Sequence, residues 1–320
     1  MQRVFKIQLF SGVINRQEAR DWCIQNNYFA ISYTKKDGEL IIDEKNDLVK
    51  KYKDSKNICA KTAIRYMTGE FTELNNESCI PIKENDLIWT LDKESGFYYV
   101  GVVRDNKCSF RNEMDIPDNF KNDISLVRNC EWCTTPIKRD EVPGCIVYNR
   151  QGTLSMVHPL ERTGIKYKQL ADYSKYLFDK EKNKFAITDF WSFLEPDDHE
   201  NILGIYLQKG YTDDKGITKF YYVIPKTAKV DTAKIEYMLT SEAGESVGVQ
   251  CKLTDGKLKK EDFDNYSQYD KFFYSQPSPS KENNHSNVIH ITFDELQDFA
   301  FKNYKIMPQK VKNIITLMNE

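Results

Sequence analysis

The chain has 320 residues, enough for two domains of ordinary size, and its 40 % apolar and 29 % charged content marks a globular protein with a highly charged surface. The formal net charge of −2 excludes a global basic signature, so a nucleic-acid surface would have to come from local basic clustering. Residues 1–14 hold two basic side chains and an apolar segment broken by Gln8, Ser11 and Gly12. That falls short of a signal peptide, no apolar run approaches membrane-spanning length, and a cytoplasmic protein is expected.

Taken in chain order, a strand is expected over residues 4–10. Asn15 with Glu18 then forms a capping-box-like start for a helix carrying Ala19, Trp22 and Cys23. Phe29 to Tyr33 reads as a strand, and helices are expected at about 44–53 and 59–67, the second repeating apolar positions at Ala60, Ala63, Ile64 and Met67. Residues 86–91 and 96–103 make a hairpin around Asp92-Lys93-Glu94-Ser95. Further short strands are expected near 125–133 and 145–148, with Val142-Pro143-Gly144 turning between them. Short, closely spaced, aromatic-rich strands predict a small, strongly curved barrel with helices. The eight cysteines are scattered, several within apolar runs, as reduced cytosolic cysteines are. Cys130-Glu131-Trp132-Cys133 is a lone CxxC. A zinc knuckle recruiting Cys108 or Cys145 is the alternative to core packing, and core packing is the expectation.

The stretches Asp86-Leu87-Ile88-Trp89-Thr90, Gly96-Phe97-Tyr98-Tyr99, Cys130-Glu131-Trp132 and Val142-Pro143-Gly144 resemble the PUA-like/EVE-like barrels that precede nuclease domains in bacterial defence proteins. The resemblance covers residues 1–160. It implies a recognition domain in which an aromatic-lined pocket receives a flipped or modified base, with Trp89, Tyr98, Tyr99 and Trp132 as the nucleic-acid-binding aromatics. Strands also favour aromatics simply as core, which is the competing expectation.

Residues 161–189 read as a connector. Tyr167, Leu170, Tyr173, Ser174 and Leu177 fall at helical spacing, and Lys166, Lys168, Lys175, Lys180, Lys182 and Lys184 gather there, either as a solvated face or as phosphate contacts. From residue 190 to 320 the order is helix, strand, hairpin, helix, strand, strand, helix, an α/β layout. Pro196-Asp197-Asp198 opens the first of these helices, with acid where the macrodipole favours it. Glu200, Leu203 and Leu207 share one stripe. A strand over 219–225 follows. Residues 235–253 form a hairpin turning near Ala243 or Gly244. Strand alternation puts Gln250 and Lys252 on one face, and Glu236 lies opposite or diagonal to Gln250. Later come a helical start at Lys260, a strand over 270–274, an exposed loop over 276–287, a strand over 288–291 with His290 as a structural residue, and a Thr292/Glu295 capping box.

This order resembles the PD-(D/E)XK nuclease fold, a mixed sheet flanked by helices. In particular it resembles the Mrr-like restriction endonucleases, in which Gln-x-Lys replaces Glu-x-Lys. Gln250-Cys251-Lys252 stands for that pair, Glu236 for the strand acid and Glu200 for the helix acid. Asn201 to Gln208, Val223-Ile224-Pro225-Lys226 and Asp231-Thr232 strengthen the likeness, which spans residues 190–315. The resemblance implies an Mg²⁺-dependent DNA endonuclease (Mn²⁺ as a substitute) of restriction or anti-phage type. Glu236 is the expected main metal ligand, Glu200 a second or water-mediated one, and Gln250 an amide-oxygen donor. Lys252 positions water and stabilises developing charge. Asp231 is the competing acid, and Lys226 and Lys229 are candidate DNA-phosphate contacts or ordinary surface lysines. The expected partner is DNA, modified or not, and the resemblance is compatible with a homodimer. The rival reading is a nucleic-acid- or nucleotide-binding protein whose nuclease-like domain has lost its chemistry through Gln250.

Overall fold

The computed structural model describes residues 2–7, 16–31, 66–67, 81–110, 113–120, 124, 126–147, 157–159, 167–181, 185–212, 220–224, 235–253 and 258–319. The chain is a mixed α/β protein that divides into two compact units, Met1–Phe185 and Ala186–Glu320, the division falling inside the stretch read as a connector. No helix among the described residues is long and apolar enough to cross a membrane.

The first unit is built on a curled sheet of seven strands: β1 (Val4–Ile7), β2 (Tyr28–Ile31), β3 (Leu87–Leu91), β4 (Tyr98–Val103), β5 (Ser109–Phe110), β6 (Leu126–Trp132) and β7 (Val157–Pro159). Their order is β2-β6-β4-β3-β1-β7, with β5 also on β6. The expected barrel is a half-barrel among the described residues, because β2 and β7 stand at opposite ends of that order. The predicted hairpin is β3–β4, Leu87 pairing with Val102 and Leu91 with Tyr98. Alternation along β3 separates two faces. Ile88 joins Phe5, Phe29, Val103 and Cys130 in one core, together with Ala19 and Cys23 of α1 (Arg16–Gln25). Trp89 points the other way, where its indole N–H donates to Ser174 Oγ over 2.9 Å.

One expected strand is corrected. The Cys-Ile-Val run after Pro143 is a helical turn, α2 (Gly144–Val147), opened by the Pro143 carbonyl accepting from Ile146 N–H at 2.9 Å. A four-residue apolar run has no periodicity to separate strand from helix, so the proline and the following glycine decide the outcome. Lys6 Nζ then donates to the Ile146 carbonyl and, at 3.4 Å, to that of Val147, satisfying the turn's open end. The connector helix is α3 (Tyr167–Phe178). The helices expected at 44–53 and 59–67 lie outside the described residues, apart from Tyr66 and Met67.

The second unit carries a five-stranded sheet in the order β12-β11-β10-β9-β8: β8 (Phe220–Ile224), β9 (Tyr237–Ser241), β10 (Ser246–Cys251), β11 (Lys271–Ser275) and β12 (Val288–Ile291). β8, β9 and β10 run antiparallel, while β10, β11 and β12 run parallel, so the sheet is mixed. One face packs on α6 (Lys260–Tyr266) through Phe263, Tyr266, Phe272, Tyr274 and Val288. Tyr266 stacks on Phe272 with ring centroids 3.8 Å apart. Gly248 permits this stack, since a Cβ there would come 2.5 Å from the Phe272 ring. Flanking helices are α4 (Phe190–Phe193), α5 (Pro196–Lys209), α7 (Phe293–Lys302) and α8 (Gln309–Asn319). Thr292 caps α7 as expected, its hydroxyl accepting from Glu295 N–H at 3.1 Å.

Candidate active site

The hairpin between β9 and β10 turns through Glu242-Ala243-Gly244. Gly244 N–H donates to the Ser241 carbonyl at 2.9 Å, and Gly244 holds φ +83°, a left-handed conformation that glycine adopts without cost. This three-residue loop fixes the register: Thr240 faces Ser246, Met238 faces Gly248 and Tyr237 faces Val249. One step further, Glu236 N–H donates to the Val249 carbonyl at 2.9 Å, which sets Glu236 opposite Gln250. The predicted juxtaposition therefore holds, and it follows from a turn of odd length and strict alternation.

At this end of the sheet Gln250 Nε2 donates to Glu236 Oε1 over 2.6 Å and to the Cys251 carbonyl over 3.2 Å. Lys252 Nζ stands 4.0 Å from the same Glu236 oxygen, and both side chains keep about a quarter to a third of their surface exposed, at 26 % and 30 %. Gln250 itself is fully buried, and its Oε1 has no hydrogen-bond partner among the described residues. An unpaired buried amide oxygen is costly, so it marks a place where a donor or a cation would be welcome.

The helix acid joins them through charge. α5 lies against the sheet with Gly204 beneath Tyr237, whose hydroxyl donates to the Glu200 carbonyl at 3.3 Å. Partial burial, then the negative charges of Glu236 and Asp197, push the Glu200 carboxyl up to about 7; Lys252 opposes this. Burial, then the negative charges of Glu200 and Glu236, push the thiol of Cys251 well above its ordinary range against the opposing Lys252, so it stays protonated. Two carboxylates and an amide oxygen are hard oxygen donors of the kind Mg²⁺ takes, and the unpartnered Gln250 Oε1 fits that use. Among the described residues no group of three or more His, Cys, Asp or Glu is arranged to hold a metal. Asp231, Lys226 and Lys229 lie outside the described residues.

The aromatics expected to stack on a base require correction. Trp89 is fully buried, Tyr98 is 4 % exposed and Trp132 is 5 % exposed, so none presents a free ring face. Trp89 is tied to Ser174, and Trp132 donates its indole N–H to the Tyr28 carbonyl at 2.8 Å. Trp132 lies across Gly101, where a Cβ would fall 2.8 Å from its ring. Hydrophobic burial has claimed these rings for the core. Tyr99 alone of the four is half-buried. In the connector, Lys175 stands 3.9 Å from Asp172 and Lys180 pairs with Glu141, so both lysines meet carboxylates. Cys130 and Cys133 are buried, free thiols.

Sequence reasoning missed the residue beside Glu200. His199 is fully buried, its Nε2 lies 3.0 Å from Ser275 Oγ, and its ring packs on Trp191 and Phe293 at 4.9 and 4.6 Å. Burial lowers its pKa to about 4, which keeps the imidazole neutral. The only sequence signal was its place on the inward stripe of α5, three residues before Ile202; Ser275 gave none. No family model, no curated protein and no solved structure matches this chain.

Proposed function

We propose that the chain is a metal-dependent endonuclease of restriction or anti-phage defence type, acting on DNA through the hairpin end of the second unit. The observation that carries this reading is the meeting of Gln250 and Lys252 on one oxygen of Glu236, at 2.6 and 4.0 Å, with Glu200 in the same electrostatic field. Glu236, Glu200 and the Gln250 amide oxygen would hold Mg²⁺ or Mn²⁺. When bound, the metal supplies a hydroxide-like nucleophile near neutral pH and neutralises charge building on the phosphate.

The chain's own groups have separable tasks. Lys252, part exposed and beside the acids, offers a fixed positive charge to the non-bridging phosphate oxygens as negative charge develops. Glu200, its carboxyl raised to about 7 by burial and neighbouring acids, is more readily protonated than an ordinary glutamate and favours its charged form when positive charge arrives. Gln250 orients the Glu236 carboxylate through its amide N–H. Having an amide where the wider fold carries an acid removes one negative charge, so metal affinity is expected to be modest.

One observation favours a second reading, in which the protein binds a nucleic acid or nucleotide without cutting. Among the described residues no group of three or more His, Cys, Asp or Glu is arranged to hold a metal, and the amide of Gln250 already engages Glu236. The first unit is proposed to sense a nucleic-acid feature in either reading, with Tyr99 in place of the buried rings as its accessible aromatic.

Incubation with plain and modified DNA in Mg²⁺ or Mn²⁺ tests the proposal. Cleavage by the wild type that falls about 10²-fold or more in Lys252→Ala supports it. Equal behaviour of the two proteins excludes cutting at this site, and Mn²⁺ binding that ignores Glu236→Gln removes the metal role.

A further inference from the structure

Glu200 and Lys252 sit on different elements, the first on α5 and the second just past the end of β10. Nothing within the hairpin fixes their separation. The link runs through a third strand. Ser275 ends β11, directly beside Cys251 in the parallel register. Its carbonyl accepts the backbone N–H of Lys252 at 2.8 Å, and its hydroxyl is hydrogen-bonded to His199 Nε2 at 3.0 Å. His199 is the residue before Glu200 on α5. Both His199 and Ser275 are fully buried, so this bond is shielded from competing water. The imidazole also packs into a three-ring cluster with Trp191 and Phe293, which themselves lie 4.5 Å apart, and this restricts its rotation.

From this geometry we infer that His199 is a positioning residue: through Ser275 it locks the first turns of α5 to the strand end that carries Lys252. The helix acid and the strand lysine are thereby held in fixed register across three elements. Neither His199 nor Ser275 touches substrate, since both are sealed in the interior. In its consequence for reaction rate the inference rests on the endonuclease reading; in its structural content it does not. Misplacing groups in a preorganised site by about 1 Å can cost on the order of 10²-fold in rate, which sets the scale of the expected effect.

The test uses the full chain and two independent readouts. His199→Phe keeps an aromatic ring packed against Trp191 and Phe293 while removing the bond; Ser275→Ala removes the same bond from the other side; His199→Gln returns a hydrogen-bonding amide at the reach of Nε2. Hydrogen exchange at the Lys252 amide is expected to quicken about tenfold or more in His199→Phe and Ser275→Ala, with the other β10 amides unchanged, and to return toward wild type in His199→Gln. In DNA cleavage the first two variants lower kcat by ten- to a hundredfold at unchanged KM, the double variant is no worse than either single one, and His199→Gln recovers most of the loss. Exchange at Lys252 that matches wild type in both His199→Phe and Ser275→Ala overturns the inference, as does a loss spread evenly over all β10 amides. A wild type that never cleaves, yet shows the exchange pattern, sinks the endonuclease reading and leaves the positioning role standing.

Discussion

Gln250 donates its side-chain N–H to Glu236 Oε1 across 2.6 Å, and its own amide oxygen is buried and unpaired among the described residues. The pair is thus half-satisfied: the nitrogen end is committed to a carboxylate, and no described residue donates to the oxygen end. A buried acceptor without a partner costs about 1–3 kcal/mol, so the site is held at a small energetic disadvantage that a bound cation or water would relieve.

Replacing the amide by an acid tests this. In Gln250→Glu a third carboxylate enters a position with no exposure, against Glu236, whose oxygen already stands 4.0 Å from Lys252 Nζ. Without metal, mutual repulsion and burial are expected to lower the melting temperature relative to wild type. With Mg²⁺ or Mn²⁺ the variant gains more stability than wild type, because binding to the folded state alone stabilises it in proportion to affinity. Thermal melts in chelator and in a metal series measure both. Equal metal-induced shifts in the two proteins would refute the role given to Gln250.

Glu200 makes a pH prediction. Its carboxyl is near 7 in the folded protein against an unfolded value near 4.5, chiefly through burial and then through the charge of Glu236. Between those values the folded state binds more protons than the unfolded one, so this group's contribution to stability falls as pH rises from about 4.5 to 7. Glu200→Gln removes the titration. The variant should match wild type near pH 4 and exceed it in stability at pH 8 when metal is absent. Denaturant midpoints at the two pH values check this; a variant less stable than wild type at pH 8 contradicts it.

What could be read from the chain alone was whatever a local rule governs. The hairpin was legible because apolar alternation brackets a glycine turn, and counting from that turn places Glu236 across from Gln250. The capping box at Thr292 and Glu295 was legible for the same reason. The half-barrel's aromatics were not: alternation tells which rings share a face, but only the packing of α1 and α3 decides that Trp89 and Trp132 are sealed. The His199–Ser275 bond joins residues 76 apart in sequence, and no local pattern announces it. The last helix, α8, was readable in principle, since Val311, Ile314 and Ile315 recur at helical spacing and are buried.

The core assignment of Trp89 separates stability from binding. Trp89→Phe keeps most of the buried ring but leaves Ser174 Oγ without its indole donor. A loss of about 0.5–1.5 kcal/mol in stability is expected, as for a typical hydrogen bond, with nucleic-acid affinity unchanged. Tyr99→Ala, at the half-exposed position, is expected to be the one substitution among the four aromatics that weakens binding. Stacking on a base is worth about 1–3 kcal/mol, which corresponds to a loss of roughly 5- to 150-fold. Denaturation and fluorescence-anisotropy titration with single- and double-stranded DNA separate the two effects. A Trp89→Phe protein that folds normally and loses affinity would restore the ring to the binding surface.

The first turn of α5, which carries Glu200, depends on a buried charge cluster. Lys310 Nζ of α8 lies 2.5 Å from Glu195 Oε1 and 3.8 Å from Asp198 Oδ2, with lysine and Glu195 side chains only 7 % and 6 % exposed. Asp198 also accepts the Glu195 backbone N–H at 2.8 Å, closing the helix start. Burial pushes the Asp198 carboxyl up, with the Glu195 backbone bond and Lys310 opposing it. Lys310→Met keeps the volume and removes the charge, leaving two buried carboxyls without it. At pH 7 this should cost about 3–5 kcal/mol, the usual penalty for breaking a buried pair from one side. Burial holds the Asp198 carboxyl above its ordinary value, and losing the lysine removes a charge that opposes this, so the penalty grows as pH rises through the ordinary carboxylate range and is small below about pH 4. Adding Glu195→Gln to Lys310→Met neutralises the partner and should recover most of the lost stability. Urea denaturation of the single and double variants at pH 4 and pH 7 decides the matter: a single variant equally destabilised at both pH values would mean that Lys310 acts through packing alone.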